Sequence, residues 1–134
     1  MSEYIPVELR RLVFERAHHC CEYCRAQAQF SSNPLTIDHI HPCSLGDATE
    51  IENLALSCFG CNQHKAERIV SYDSISEIIV SLFHPRLNNW NEHFNWNEEF
   101  TLMIGITPTG RATIAALQLN RIQSRHAFLL VATQ

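Results

Sequence analysis

The sequence lacks long hydrophobic runs. No window of its 134 residues approaches the roughly 18 uninterrupted apolar residues that a membrane-spanning helix requires. The opening stretch, MSEYIPVELRR, also has no apolar run after its charges, which a secretory signal would have. We therefore expect a cytoplasmic protein with no membrane association. Its thiols should be reduced, and this favours metal ligation over disulfides for paired cysteines.

Glycine is scarce, with four residues in the chain, and no Gly-rich phosphate-binding loop is found. This absence argues against nucleotide hydrolysis. Internal repeats, linkers and low-complexity tracts are also absent from the sequence. The length then fits one domain, or a small domain with an ordered extension.

Charge is low and unevenly distributed. The net charge is −4, and Lys65 is the only lysine. Residues 101–134 contain three arginines and no acidic residue. This balance argues against non-specific coating of nucleic acid, but a local basic face remains possible.

Hydrophobic periodicity predicts an α+β fold. The segment IPVELRRLVFERA has helical spacing, LTIDHIHP is typical of a strand, and a helix is expected from about Cys61. In the second half, SEIIVSLF and TLMIGI are strand-like, and TPTGRATIAALQLNRI is typical of a capped helix. We predict a core in residues 1–70 and a C-terminal α+β extension in residues 71–134, packed on the core.

Four of the six cysteines form two C-x2-C pairs, Cys21 with Cys24 and Cys58 with Cys61. Two such pairs can offer four thiolates to one tetrahedral zinc ion, so we predict one structural zinc per chain. Disulfides or unrelated core cysteines are the alternatives. Cys43 has no sequence partner and is expected to be a small buried residue.

The strand between these pairs carries unusual polar residues, Asp38, His39 and His41. A buried, unpaired carboxylate costs several kcal/mol, so this strand needs a partner, a metal or open water. Successive strand residues point to opposite faces, and Asp38 and His39 should therefore diverge.

The series CEYC, DHIHP, ENL and CFGCNQHK resembles the HNH endonucleases, whose ββα-metal core is often clasped by two C-x2-C knuckles. The resemblance covers residues 6–69. It implies a metal-dependent endonuclease that hydrolyses phosphodiester bonds of duplex DNA. In this family pattern His39 is the general base, and an imidazole can take up a proton near neutral pH.

The same resemblance implies roles for three further residues. Asn53 matches the middle position of the motif, where an amide ties down the loop and orients the base. Asp38 and Asn62 match positions that hold the catalytic divalent ion. An amide oxygen at Asn62 favours Mg²⁺ or Mn²⁺ over tight zinc capture.

DNA contacts are expected from the basic residues of the core helix and the extension: Lys65, Arg68, Arg111, Arg121 and Arg125. The alternative for the arginines of the extension is solvation, or pairing with Glu98 and Glu99. A rival function is a catalytically inactive zinc module that binds nucleic acid or protein.

Overall fold

The computed structural model describes residues 4–42 and 49–121, and they form the predicted mixed α+β fold. The helices are α1 (Val7–Arg16), α2 (Phe59–Lys65), α3 (Trp90–His93) and α4 (Pro108–Leu117). The strands are β1 (Thr36–His39), β2 (Leu54–Ser57), β3 (Val70–Asp73), β4 (Ile78–Ser81), β5 (Phe94–Trp96) and β6 (Met103–Gly105). Short 3₁₀ turns at Ala28–Phe30 and Ile51–Asn53 precede the first two strands. Each strand pairs with its sequence neighbour, so the described residues contain three two-stranded antiparallel sheets.

The first helix forms where the periodicity predicted it. Pro6 precedes α1, where its fixed backbone angle costs nothing, and Val13 is fully buried on the inner face of the helix. On the outer face Arg11 forms ion pairs with Glu8 and Glu15, one helical turn away in each direction.

The β1–β2 hairpin and α2 form the predicted ββα order. Thr36 pairs with Ser57 and His39 with Leu54, and all four residues of β2 are buried. The helix begins two residues before the expected Cys61, because the Cys58 sulfur caps it by accepting a hydrogen bond from the Cys61 amide.

The second half packs on the first through one continuous group of buried side chains. Phe83 meets Tyr23 edge to face at 6.4 Å, and the Trp90 indole donates a hydrogen bond to the Tyr23 carbonyl at 3.0 Å. The predicted cap of α4 is present, since the Thr107 hydroxyl accepts from the Gly110 amide at 3.0 Å. The proposed division after residue 70 falls within β3, and it stays a prediction.

No helix among the described residues is long and apolar enough to cross a membrane.

Candidate metal centre and catalytic strand

The two cysteine pairs meet at one buried position. The sulfur atoms of Cys21, Cys24, Cys58 and Cys61 all lie within 4.8 Å of one another. In each pair the amide of the second cysteine donates to the sulfur of the first, at 3.5 Å for Cys24 and 3.4 Å for Cys61. One knuckle follows α1 and the other lies at the start of α2, and their sulfurs face each other.

The dimensions of this cluster suit a tetrahedral zinc ion. With zinc–sulfur bonds of about 2.3 Å, the sulfurs of such a site lie about 3.8 Å apart. The Cys24 and Cys58 sulfurs are 3.7 Å apart, far beyond the length of a disulfide bond. Cys20 lies outside the cluster, and its thiol donates to the His18 carbonyl at 3.4 Å. Cys43 falls outside the described residues.

Asp38 points into the core. Its side chain is 4% exposed, the Tyr23 hydroxyl donates to it at 2.7 Å, and the Lys65 ammonium lies 3.1 Å from the same oxygen. Burial raises the pKa of Asp38, and Lys65 and Tyr23 offset only part of this rise. The unusual carboxylate of the strand is therefore compensated by an internal cation and a hydroxyl.

Lys65 was expected to contact DNA; that role stays a prediction, and the arrangement described here gives the residue other partners. The residue is 1% exposed, and its ammonium also donates to the carbonyls of His39 at 3.3 Å and Ile40 at 3.0 Å. A group enclosed in this way would have to leave its protein acceptors to reach a phosphate. Lys65 instead fastens α2 to the end of β1, directly behind His39.

Replacing Lys65 by methionine is expected to destabilise the fold by about 3–5 kcal/mol at neutral pH, because it leaves a buried carboxylate unpaired. Without Lys65 the pKa of Asp38 should rise further above its ordinary value. A raised pKa in the folded state means that stability is kept in acid and lost as pH rises through that pKa. Urea unfolding measured from about pH 4, the ordinary pKa of an aspartate, up to pH 8 should therefore show a deficit that grows with pH.

Two variants complete this prediction. The double variant Lys65→Met/Asp38→Asn should recover most of the lost stability, and Gln63→Met, at an exposed position of the same helix, should change little. If Lys65→Met unfolds at the parental urea concentration at every pH, the ion pair does not stabilise the core.

His39 lies on the other face of the strand from Asp38, as the alternation predicts. It is half-buried, and its Nε2 atom lies 2.8 Å from the Thr49 hydroxyl. The Asn53 side chain holds the backbone of His41, two residues after His39, through two hydrogen bonds. Its amide oxygen accepts from the His41 amide and its NH₂ group donates to the His41 carbonyl, both at 2.9 Å. The chain that leaves β1 is thus held against the turn before β2.

Asn62 is half-buried on α2, one turn before Lys65. Among the described residues its side-chain amide has no hydrogen-bond partner, whereas the Asp38 carboxylate is enclosed. The expected divalent-ion site therefore has one open ligand and one occupied ligand. The catalytic ion at Asp38 and Asn62 stays a prediction, and the Asp38 carboxylate would have to leave Lys65 to bind it.

The arginines of the extension were predicted to contact DNA, and two of them have protein partners in the structure. Arg111 forms a two-pronged ion pair with Asp73, at 3.0 and 2.9 Å, and not with Glu98 or Glu99. Its partner is 1% exposed and has a pKa held below its usual range by Arg111. The ion pair joins α4 to the end of β3, and the DNA contact of Arg111 stays a prediction.

Two other predicted contacts also have protein partners. The Arg121 guanidinium donates to the sulfurs of Cys58 and Cys61. Arg68 is exposed and donates to the Ala116 carbonyl at 2.7 Å. Arg125 lies outside the described residues. Arg68 is thus more exposed than Arg111 and Arg121, which are half-buried.

Sequence reasoning missed several members of these networks. Tyr23, between the first two cysteines, supplies the hydroxyl to Asp38, and Thr49 contacts His39. The only available indication for Tyr23 was its place within the first knuckle. His41 packs edge to face against His84 at 5.6 Å, a contact between residues that the sequence keeps far apart.

The model of the HNH endonuclease family matches residues 21–68, a segment that begins at the first cysteine of the cluster and ends three residues after Lys65. It contains both cysteine pairs, the β1–β2 hairpin and α2. No curated protein and no solved structure matches the chain.

Proposed function

We propose that this protein hydrolyses phosphodiester bonds of DNA, because the model of the HNH endonuclease family matches residues 21–68. The observation that carries the proposal is the half-buried imidazole of His39 on a strand whose other face is anchored by the Asp38–Lys65 ion pair. Such anchoring holds a reactive side chain in one orientation, as general-base catalysis requires.

His39 is the proposed general base. In the tautomer whose Nε2–H donates to the Thr49 hydroxyl, Nδ1 is the nitrogen that takes a proton from water. The activated water attacks phosphorus in line, and the 3′ oxygen departs. Asn53 supports this geometry through its clasp on the His41 backbone. The expected products carry 5′-phosphate and 3′-hydroxyl ends.

Structural zinc is part of the proposal and is supported by the dimensions of the cysteine cluster. The ion would join the end of α1 to the start of α2 and contribute folding free energy. One zinc per chain is expected.

A catalytic Mg²⁺ or Mn²⁺ at Asp38 and Asn62 is a separate proposal. It is supported by the open amide of Asn62, whose oxygen is a hard ligand. The Asp38 carboxylate could serve only after its contact with Lys65 opens. DNA as the partner rests on the family match, with the exposed Arg68 as the available phosphate contact.

The proposal is tested by incubating zinc-loaded protein with supercoiled plasmid, with Mg²⁺, with Mn²⁺ and with neither. Circular DNA has no ends, so nicked or linear product reports an endonuclease. We expect product, and we expect DNA ligase to reseal the nicks without prior treatment of the ends. Intact plasmid in all three incubations, with folded zinc-containing protein, would favour the inactive binding module. Product without an added divalent ion would remove Mg²⁺ and Mn²⁺ from the account.

A further inference from the structure

Arg121 lies against one half of the cysteine cluster. Its Nη2 atom donates to the Cys58 sulfur at 3.3 Å and to the Cys61 sulfur at 3.6 Å. The same guanidinium is fixed by Nη1, which donates to the last carbonyls of α4, Leu117 at 3.1 Å and Gln118 at 2.9 Å. A rigid planar donor group is thus held between a helix end and two sulfurs.

Gly60, within the second cysteine pair, leaves the room for this contact. A Cβ atom at position 60 would lie 2.5 Å from Nη2 of Arg121 and 2.7 Å from its Cζ atom. These distances are below van der Waals contact, so a larger residue would push the guanidinium away from the sulfurs. The absence of a side chain at position 60 therefore allows Arg121 to contact the two sulfurs.

Small molecules can reach the side of the cluster where Arg121 lies. A cavity of about 310 Å³ is bordered by Cys58, Gly60 and Arg121, and it opens a route for small reagents to this side of the cluster. Four thiolates on one Zn²⁺ carry a net charge of −2, and a buried charge of this kind is stabilised by a nearby cation that donates hydrogen bonds. The described residues place no comparable guanidinium hydrogen bond on Cys21 or Cys24.

We propose that Arg121 is a positioning residue of the zinc site, which stabilises the thiolates of Cys58 and Cys61 and shields them from electrophiles. This inference rests on the proposed structural zinc. It gives the C-terminal extension a defined task, since α4 brings to the cluster a cation that the core does not supply. Arg121 then acts on the metal centre, in place of the DNA contact that its charge first indicated.

The test compares Arg121→Gln with the parent and with Arg111→Gln, which removes the ion pair with Asp73 in the same extension. Zinc transfer to a chromophoric chelator should be on the order of tenfold faster in Arg121→Gln, the factor that corresponds to about 1.4 kcal/mol. Iodoacetamide labelling at low conversion is mapped by mass spectrometry. In Arg121→Gln, Cys58 and Cys61 should be modified earlier, relative to Cys21 and Cys24, than in the parent. Gly60→Ala should change both readouts in the same direction, and Arg111→Gln should change neither.

Two results would overturn the inference while leaving the zinc proposal intact. One is a parental zinc-transfer rate and labelling order in Arg121→Gln. The other is equal acceleration at all four cysteines with a lowered unfolding temperature, which a merely structural role would give. A parent protein without zinc would overturn the inference and the zinc proposal together. The nuclease proposal is decided separately, because neither readout depends on DNA cleavage.

Discussion

Replacing Cys58 by serine is expected to abolish both zinc binding and cooperative unfolding. Cys58 supplies a sulfur to the cluster and also caps α2 through the Cys61 amide. A structural zinc contributes an apparent free energy on the order of 10 kcal/mol, comparable to the whole stability of a small domain, about 5–15 kcal/mol. A serine hydroxyl does not replace a thiolate as a ligand, so the variant should lose the ion and with it the junction of α1 and α2.

Metal analysis and thermal unfolding monitored by circular dichroism measure this effect. The matched control is Cys20→Ser, at the neighbouring thiol outside the cluster, which should keep one zinc and the parental transition. A Cys58→Ser protein that unfolds as the parent does, or a parent that folds without zinc, would remove the ion from the account.

The cysteine cluster could be predicted from the sequence because each pair is a local signal. Two cysteines separated by two residues form a knuckle through bonds within the same turn, as the amides of Cys24 and Cys61 show. The longer helices, α1 and α4, were likewise predictable, since ten residues contain several repeats of the helical period. Strand β3 and helix α3 were missed because four residues contain too little of either period.

The role of Lys65 could not be predicted, because its sequence position is equally compatible with solvent. Lys65 is buried because α2 packs on β1. There its ammonium pairs with the carboxylate of Asp38, which lies 27 positions earlier in the sequence. The same holds for the arginines of the extension. Arg111 meets Asp73 across 38 positions, and Arg121 meets Cys58 across 63. Charge composition alone does not show these protein partners, because they come together only through tertiary packing.

Replacing His39 by alanine is expected to slow DNA cleavage by roughly 10²- to 10⁴-fold, the usual contribution of a general base. Fold, zinc content and DNA binding should be retained, because the Asp38–Lys65 pair and the clasp on His41 involve the backbone or the other face of the strand. The side chain of His39 contacts Thr49, and its loss leaves no buried charge unpaired.

The most direct test of the account is the single-turnover cleavage rate of a DNA duplex by the parent, His39→Ala and His64→Ala. His64 is half-buried on α2, and alanine suits that helix, so this control removes an imidazole without touching the proposed base. All three proteins are compared at equal zinc content and saturating DNA. The account predicts parental rates for His64→Ala and a loss of at least about 100-fold for His39→Ala. Equal rates in all three proteins would contradict it.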